Sequence, residues 1–217
     1  MRELVIAVHP DDETLAMGGT ILKHKRRGDD IYWVIITSME DEEERKKRKA
    51  EIDQANARYK FNGIFELNMP AAGLNESYVP RIIEQLDSIA KEIKPETVYI
   101  PWCYDLHSDH RTTYQACCVF LKPHRYPYIR NVFAMEVLSE TDLGAIAFKK
   151  GYTPNYFIDI TDTIEEKLDI LDIYKTETGQ FPFPRSRQAC MALAQLRGQT
   201  IGVKYAEAFL CLKQVEK

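Results

Sequence analysis

The sequence predicts an α/β fold built on a mainly parallel, doubly wound sheet. Three observations carry that expectation. Short apolar, β-branched runs alternate with longer helical patterns along the chain. The runs are continuously apolar rather than alternating, which is how strands buried on both faces read. Strands separated by helices imply parallel crossover connections.

The first run, residues 4–8 (LVIAV), leads into a helical pattern over 14–27, with Gly28 placed to cap its C-terminus. Residues 31–37 (IYWVIIT) form the second strand. The helix predicted over 40–59 is the most charged, with Ser38 and Asp41 as its N-cap pair. Its acids at 40–44 precede its bases at 45–49, which suits the helix dipole, and the charge run reads as a solvated face. A third strand at 64–67, a helix at 79–94, a fourth strand at 97–101 and a helix at 109–121 follow. Strands at 132–138 and 156–160 and a helix at 161–175 complete the alternation.

The tail differs in character. Residues 180–185 (QFPFPR) read as irregular, 186–197 as a helix with Gly198 near its end, and 205–212 as a strand or a helix. The expectation is one domain over residues 1–217, with 180–217 a C-terminal extension forming a lobe beside the sheet.

Composition narrows the function. A chain of 217 residues buries well over half of its unfolded surface and needs no disulfide staples. Cys103, Cys117, Cys118, Cys190 and Cys211 show no paired spacing and read as free thiols. The net charge of −4 argues against a nucleic-acid partner. No run approaches the roughly 18 apolar residues of a membrane span. The N-terminus reads as a strand rather than a signal peptide, so the expected location is cytoplasmic.

In open α/β sheets, ligands bind beyond the carboxyl ends of the strands. The first strand ends in His9-Pro10-Asp11-Asp12-Glu13, an imidazole and three carboxylates in five residues. Adjacent carboxylates repel and raise one another's pKa, and a divalent cation relieves that repulsion. An acidic turn capping a helix is the plainer alternative. After the fourth strand comes Asp105-Leu-His107-Ser-Asp109-His110, whose two histidines are spaced to share a helix face. Two such clusters at two strand ends can converge on one ion. His and Asp suit Zn²⁺, and Fe²⁺, Co²⁺ or Mn²⁺ accept the same ligands. His24 and His124 sit among Lys and Arg and read as surface residues. Trp102, Tyr104, Tyr126 and Tyr128 are sugar-stacking candidates, although such residues more often pack a core or loop.

The run AVHPDDETLAMGGTI at 7–21, with His107-Ser-Asp-His110, resembles the PIG-L/LmbE family of zinc-dependent de-N-acetylases. Residues 136–141 and 197–209 resemble it more loosely. The resemblance implies a Rossmann-like three-layer fold and removal of acetyl groups from N-acetylglucosamine-type sugars. It implies His9, Asp12 and His110 as zinc ligands and Asp11 as the general base. It implies His107 as oxyanion stabiliser or acid and Asp109 as the residue orienting it. Glu13 would support the helix start, and Arg48 would contact substrate. Relatives are often trimers or hexamers, so a homo-oligomer is expected. The chain departs from some relatives at 69–73 (MPAAG), which lacks an acid, at Ser108 and at Leu106. These departures bear on the substrate pocket and leave the ligand set intact.

The basic tail, Arg185 with Arg187 and Arg197, begins a helix and suits an anionic group. That points to a phosphorylated or nucleotide-linked amino sugar; arginines that pack the helix are the alternative. Two other functions compete with deacetylation. A phosphoesterase-type metal hydrolase more often needs a second ion and more carboxylates. A non-catalytic family member serving as a binding or assembly subunit has no reason to keep Asp11 and His107 beside the ligands.

Overall fold

In the computed structural model, which describes residues 1–216, seven strands form one sheet. The chain order is β1 (Arg2–Ala7), α1 (Asp12–Arg27), β2 (Asp30–Ser38), α2 (Glu42–Tyr59), β3 (Gly63–Pro70), α3 (Val79–Ile93) and β4 (Thr97–Ile100). It continues α4 (Ser108–Cys117), β5 (Asn131–Ala134), α5 (Thr141–Phe148), β6 (Tyr156–Asp159), α6 (Ile164–Leu171), α7 (Arg187–Ile201) and β7 (Ala206–Lys213).

The strand order is β3-β2-β1-β4-β5-β7-β6, and β1 to β5 run parallel. From β1 the chain winds one way through β2 and β3, then returns to lay β4 on the other side. The switch point therefore lies between β1 and β4, where a doubly wound sheet opens a crevice at its carboxyl edge. Helices cover both faces. Leu4 and Ile6 of β1 enter a core shared with α3 and α4, whereas Val5 enters the core under α1, α6 and α7. This burial on both faces explains the continuous apolar runs.

The tail departs from the expected lobe. Residues 206–213 form a strand that pairs antiparallel with both β5 and β6 inside the sheet. Its Glu207 is buried and reaches α1. That helix kinks at Met17, and the freed amides of Gly19 and Thr20 donate to Glu207 at 3.0 and 2.7 Å. Lys167 of α6 donates to the same carboxylate at 2.7 Å. A fully paired buried charge is tolerated where an unpaired one would not be.

Other boundaries shift for local reasons. β5 ends at Ala134, because the chain bends and Val137 N donates to the Thr141 hydroxyl at 2.9 Å. Helix α5, absent from the sequence reading, follows. Gly144 lets α5 close on the loop after β4: a Cβ there would lie 2.0 Å from the Tyr104 carbonyl oxygen. Gly198 lies within α7, and Gly202, at φ 76°, caps it instead. His24 is not a surface residue. It is 5% exposed, and its Nδ1 lies 2.8 Å from Glu3 Oε2. Among the described residues no helix is long and apolar enough to cross a membrane, and all five cysteines are free.

Candidate active site

The loops after β1 and β4 meet at the switch point. Asp11 stands at the N-cap of α1 with φ 135°, a strained backbone for a non-glycine residue, of the kind that clusters at functional sites. Asp12 follows in the first turn, where its Oδ2 accepts the amides of Val8 and His9, both at 2.9 Å. Those two bonds pin the carboxylate against the end of β1. His107 is the N-cap of α4, and Asp109 and His110 lie in that helix's first turn. Asp11, Asp12, Asp105, Asp109 and His110 are all at most 3% exposed.

His110 Nε2 lies 3.3 Å from Asp12 Oδ2, and His9 Nδ1 lies 4.0 Å from the same oxygen. Donor atoms of His9, Asp12 and His110 lie within 4.8 Å of one another. The other nitrogen of His110 contacts Asp105 Oδ2 at 2.9 Å, and Asp105 Oδ1 accepts from the Thr141 hydroxyl at 2.7 Å. A carboxylate behind the imidazole fixes its tautomer and aims the free nitrogen at an ion. That nitrogen, His110 Nε2, is buried and has no hydrogen-bond partner. An orphaned buried nitrogen beside a carboxylate and a second imidazole is what a divalent cation would complete, so these residues fit a metal. Burial opposes charge on His110, but Asp12 and Asp105 outweigh it and push the imidazole up to about 9. A bound cation would take the place of that second proton.

Burial and the neighbouring Asp12 push the Asp11 carboxyl up; Arg185 pulls it back. Arg185 Nη1 donates to Asp11 Oδ2 at 3.0 Å, and its Nε donates to the Ser139 hydroxyl at 3.0 Å. Glu13 lies beneath, with its carboxyl accepting from the Thr14 and Tyr174 hydroxyls at 2.6 and 2.7 Å. Burial pushes it up to about 7.

The expected link from Asp109 to His107 takes a different form. His107 Nδ1 accepts from the backbone amide of Asp109 at 3.1 Å, while the nearer carboxylate oxygen stays 3.9 Å away. The Asp109 carboxylate instead contacts His9 Nε2 at 3.4 Å and accepts the amides of Ala72 and Leu74 at 2.7 and 3.0 Å. It thus ties the loop after β3, the MPAAG segment, to the cluster. Because His107 Nδ1 is an acceptor, its proton sits on Nε2. Burial and His9 hold its pKa below the ordinary histidine value, so the ring is neutral at pH 7.

A cavity of about 530 Å³, a size typical of small-ligand sites, opens over these groups. Arg48 and Arg185 both line it, as do His9, His107, Glu140 and Glu177. Arg48 sits between Glu51 and Glu177, and Arg185 between Asp11 and Glu177. Arg187 and Arg197 lie elsewhere: Arg187 pairs with Asp169 and Asp172, and Arg197 grips Glu136. Part of the α2 charge run faces the cavity through Arg45, Lys46 and Lys49 rather than solvent alone. Trp102, Tyr104, Tyr126 and Tyr128 are not among the described lining residues; Trp102 and Tyr126 are buried in the core.

Sequence reasoning missed the contributions of Asp105, Glu140, Ser139 and Glu177. Asp105 carried a signal as an acid just ahead of a histidine motif at a strand end, and Ser139 and Glu140 a weaker one within the loosely family-like segment 136–141; Glu177 carried none. Glu140, the N-cap residue of α5, accepts the His107 amide on Oε2 at 2.9 Å, ahead of a helix the sequence did not reveal.

The family model described as GlcNAc-PI de-N-acetylase (PIG-L) matches residues 4–120, more than half of the chain. Diacetylchitobiose deacetylase of Thermococcus kodakarensis is 26% identical, covering 95% of this chain and 81% of that protein. The structure of N,N'-diacetylchitobiose deacetylase from Pyrococcus horikoshii superposes with a TM-score of 0.78 at 24% identity, covering 98% of this chain and 84% of the other. The 4-carboxy-2-hydroxymuconate hydratase of Pseudomonas putida superposes with a TM-score of 0.76 at 16% identity, covering 100% and 98%. A hydratase on this fold means that the fold alone does not name a reaction, so the site must. With both motifs of the family inside the matched region and assembled at one switch point, the chain belongs to the GlcNAc-PI de-N-acetylase (PIG-L) family.

Proposed function

We propose that this chain is a metal-dependent hydrolase that removes the N-acetyl group of an N-acetylglucosamine-type amino sugar. Family membership supports the reaction class, and the diacetylchitobiose deacetylases it resembles support the sugar. The observation that carries the reading is the orphaned His110 Nε2, buried against Asp12, which lines the cavity together with His9 and His107. His9, Asp12 and His110 would hold the ion, zinc by donor type, with Fe²⁺, Co²⁺ and Mn²⁺ as substitutes. When bound, the cation supplies Lewis acidity to the acetamido carbonyl and eases the deprotonation of water.

The chain's own residues do the rest. Asp11 takes the proton of the attacking water, and Arg185 holds its Oδ2 in place. His107 donates a hydrogen bond from its Nε2–H to the oxygen of the acetamido carbonyl as negative charge develops there, and keeps its proton. Its orientation is set by the Asp109 amide on Nδ1. Collapse breaks the C–N bond; the proton on Asp11 passes to the leaving nitrogen to give the free amine, and acetic acid leaves and loses its proton to solvent as acetate. A neutral His107 already carries the donor it needs, so no imidazolium is required.

A two-ion phosphoesterase arrangement is less well supported. The second donor trio, His9, His107 and Asp109, shares His9 with the first. The test is acetate release from N-acetylglucosamine and its phosphorylated and nucleotide-linked forms, with and without chelator. Chelator-sensitive acetate, restored by added Zn²⁺, is the expected result. Stoichiometric bound metal without acetate from any sugar overturns the proposal and favours the binding-subunit role.

A further inference from the structure

Two guanidinium groups of the cavity wall close on one carboxylate. Arg48 Nη2 donates to Glu177 Oε1, and Arg185 Nη1 donates to Glu177 Oε2 at 2.9 Å. All three residues line the cavity. An oxygen for each arginine is how proteins recognise the carboxylate or phosphate of a ligand. Here the carboxylate belongs to the chain itself.

Its position is built. Glu177 N donates to the Tyr174 carbonyl at 3.0 Å, closing a turn. Tyr174 is fully buried, and its hydroxyl donates to Glu13 Oε1 at 2.7 Å beneath the start of α1. The turn is thus anchored under the site, and Glu177 is presented to the arginines from a fixed base. Arg48 and Arg185 come from helix α2 and from the segment before α7, so three separate stretches of chain converge on this contact.

We infer that Glu177 is a specificity-determining residue: it occupies a two-arginine anion site and bars carboxylate and phosphate groups from the inner wall of the cavity. The inference rests on the deacetylase reading and sharpens its substrate class to an N-acetyl amino sugar that is uncharged where it meets Arg48 and Arg185. A substrate anion at that wall would have to expel Glu177 or lie against it, like charge to like charge. Arg45, a cavity-lining cation with no acid partner among the described residues, does not offset this. It is exposed at the rim, where salt screens its pull.

The test uses the zinc-loaded protein and its Glu177→Ala and Glu177→Gln variants. The first arm is titration with inorganic phosphate, read by calorimetry without turnover. The parent and the variants share the metal centre, so the difference between them reports this wall. The expected result is phosphate binding at least about tenfold tighter in the variants, as befits two charge-assisted contacts released from an internal partner. The second arm is the ratio of kcat/KM for N-acetylglucosamine 6-phosphate to that for N-acetylglucosamine. It should favour the neutral sugar in the parent and rise at least about tenfold in the variants. Glu177→Gln keeps the side chain's size and removes only its charge, which protects the test from a Glu177→Ala protein that fails to fold. Equal phosphate affinity in parent and variants, or an unmoved ratio, overturns the inference. If no form releases acetate, the deacetylase reading fails, and the phosphate titration still decides whether Glu177 fills an anion site.

Discussion

The sheet carries a histidine–carboxylate cluster at each end of its first strand, and the two behave in opposite ways. At the amino end, Glu3, His24 and Asp29 are buried and close enough to hold an ion. Every charge there already has a partner. Glu3 faces His24 and Arg27, while Asp29 takes the N-terminal ammonium and Arg27. At the carboxyl end, His9, Asp12 and His110 offer the same residue types, but His110 Nε2, although 3.3 Å from Asp12 Oδ2, has no hydrogen-bond partner. The comparison teaches that residue type and proximity do not distinguish a site from a structural ion-pair network. The distinguishing quantity is a buried ligand nitrogen with no hydrogen-bond partner, set directly behind cavity-lining His9 and Asp12, since such an atom is costly unless a ligand completes it.

Four substitutions break or sharpen this contrast. The largest effect is expected at Asp11→Asn. Losing a positioned base should lower kcat about 10²–10⁴-fold, with metal content by elemental analysis unchanged. Metal lost along with activity would make Asp11 a ligand instead. Next is Asp105→Ala, which removes the acceptor behind His110. Metal affinity measured against a competing chelator should fall about 10–100-fold.

A smaller effect concerns pH. Asp11 must be ionised to act; burial and Asp12 raise its pKa and Arg185 lowers it. Arg185→Gln removes the lowering contribution, so the acid limb of kcat/KM should move to higher pH, by about half a unit or more. A limb that stays in place or moves down would sever Arg185 from the base. The smallest catalytic effect is expected at the other end of the strand. His24→Ala should leave metal content and kcat/KM unchanged and reduce stability by about 1–3 kcal/mol in denaturant unfolding, because Glu3 loses a buried partner. A loss of bound metal on His24→Ala would erase the distinction between the two clusters.

Much of this arrangement is legible in order along the chain. The parallel strands announce themselves by continuous apolarity, and the ligand candidates stand in two short motifs at the ends of β1 and β4. Each motif is local, so strand period and the switch-point rule suffice to place it. The tail resisted this logic. Residues 205–212 suit a strand or a helix by pattern alone, and only pairing with β5 and β6 decides between them. Helix α5 lacks a strong stripe, and the apolar run 132–138 hides the point where β5 stops.

The arginines show the same division. In sequence, Arg185, Arg187 and Arg197 form one basic tail suited to an anion. In the fold they separate: Arg185 reaches Asp11 across 174 residues, while Arg187 and Arg197 pair with acids away from the cavity. His24, surrounded by Lys and Arg in sequence, is buried against Glu3 of the neighbouring strand. The fold class, the two donor motifs and their meeting at one edge of the sheet are readable from the chain order, because those depend on local periodicity and on the topology it implies. Tertiary structure alone decided which charges are already spent on one another, which nitrogen is left over, and that Glu177 stands between two arginines. Charge pairing depends on distances between segments remote in sequence, and no local pattern encodes those distances.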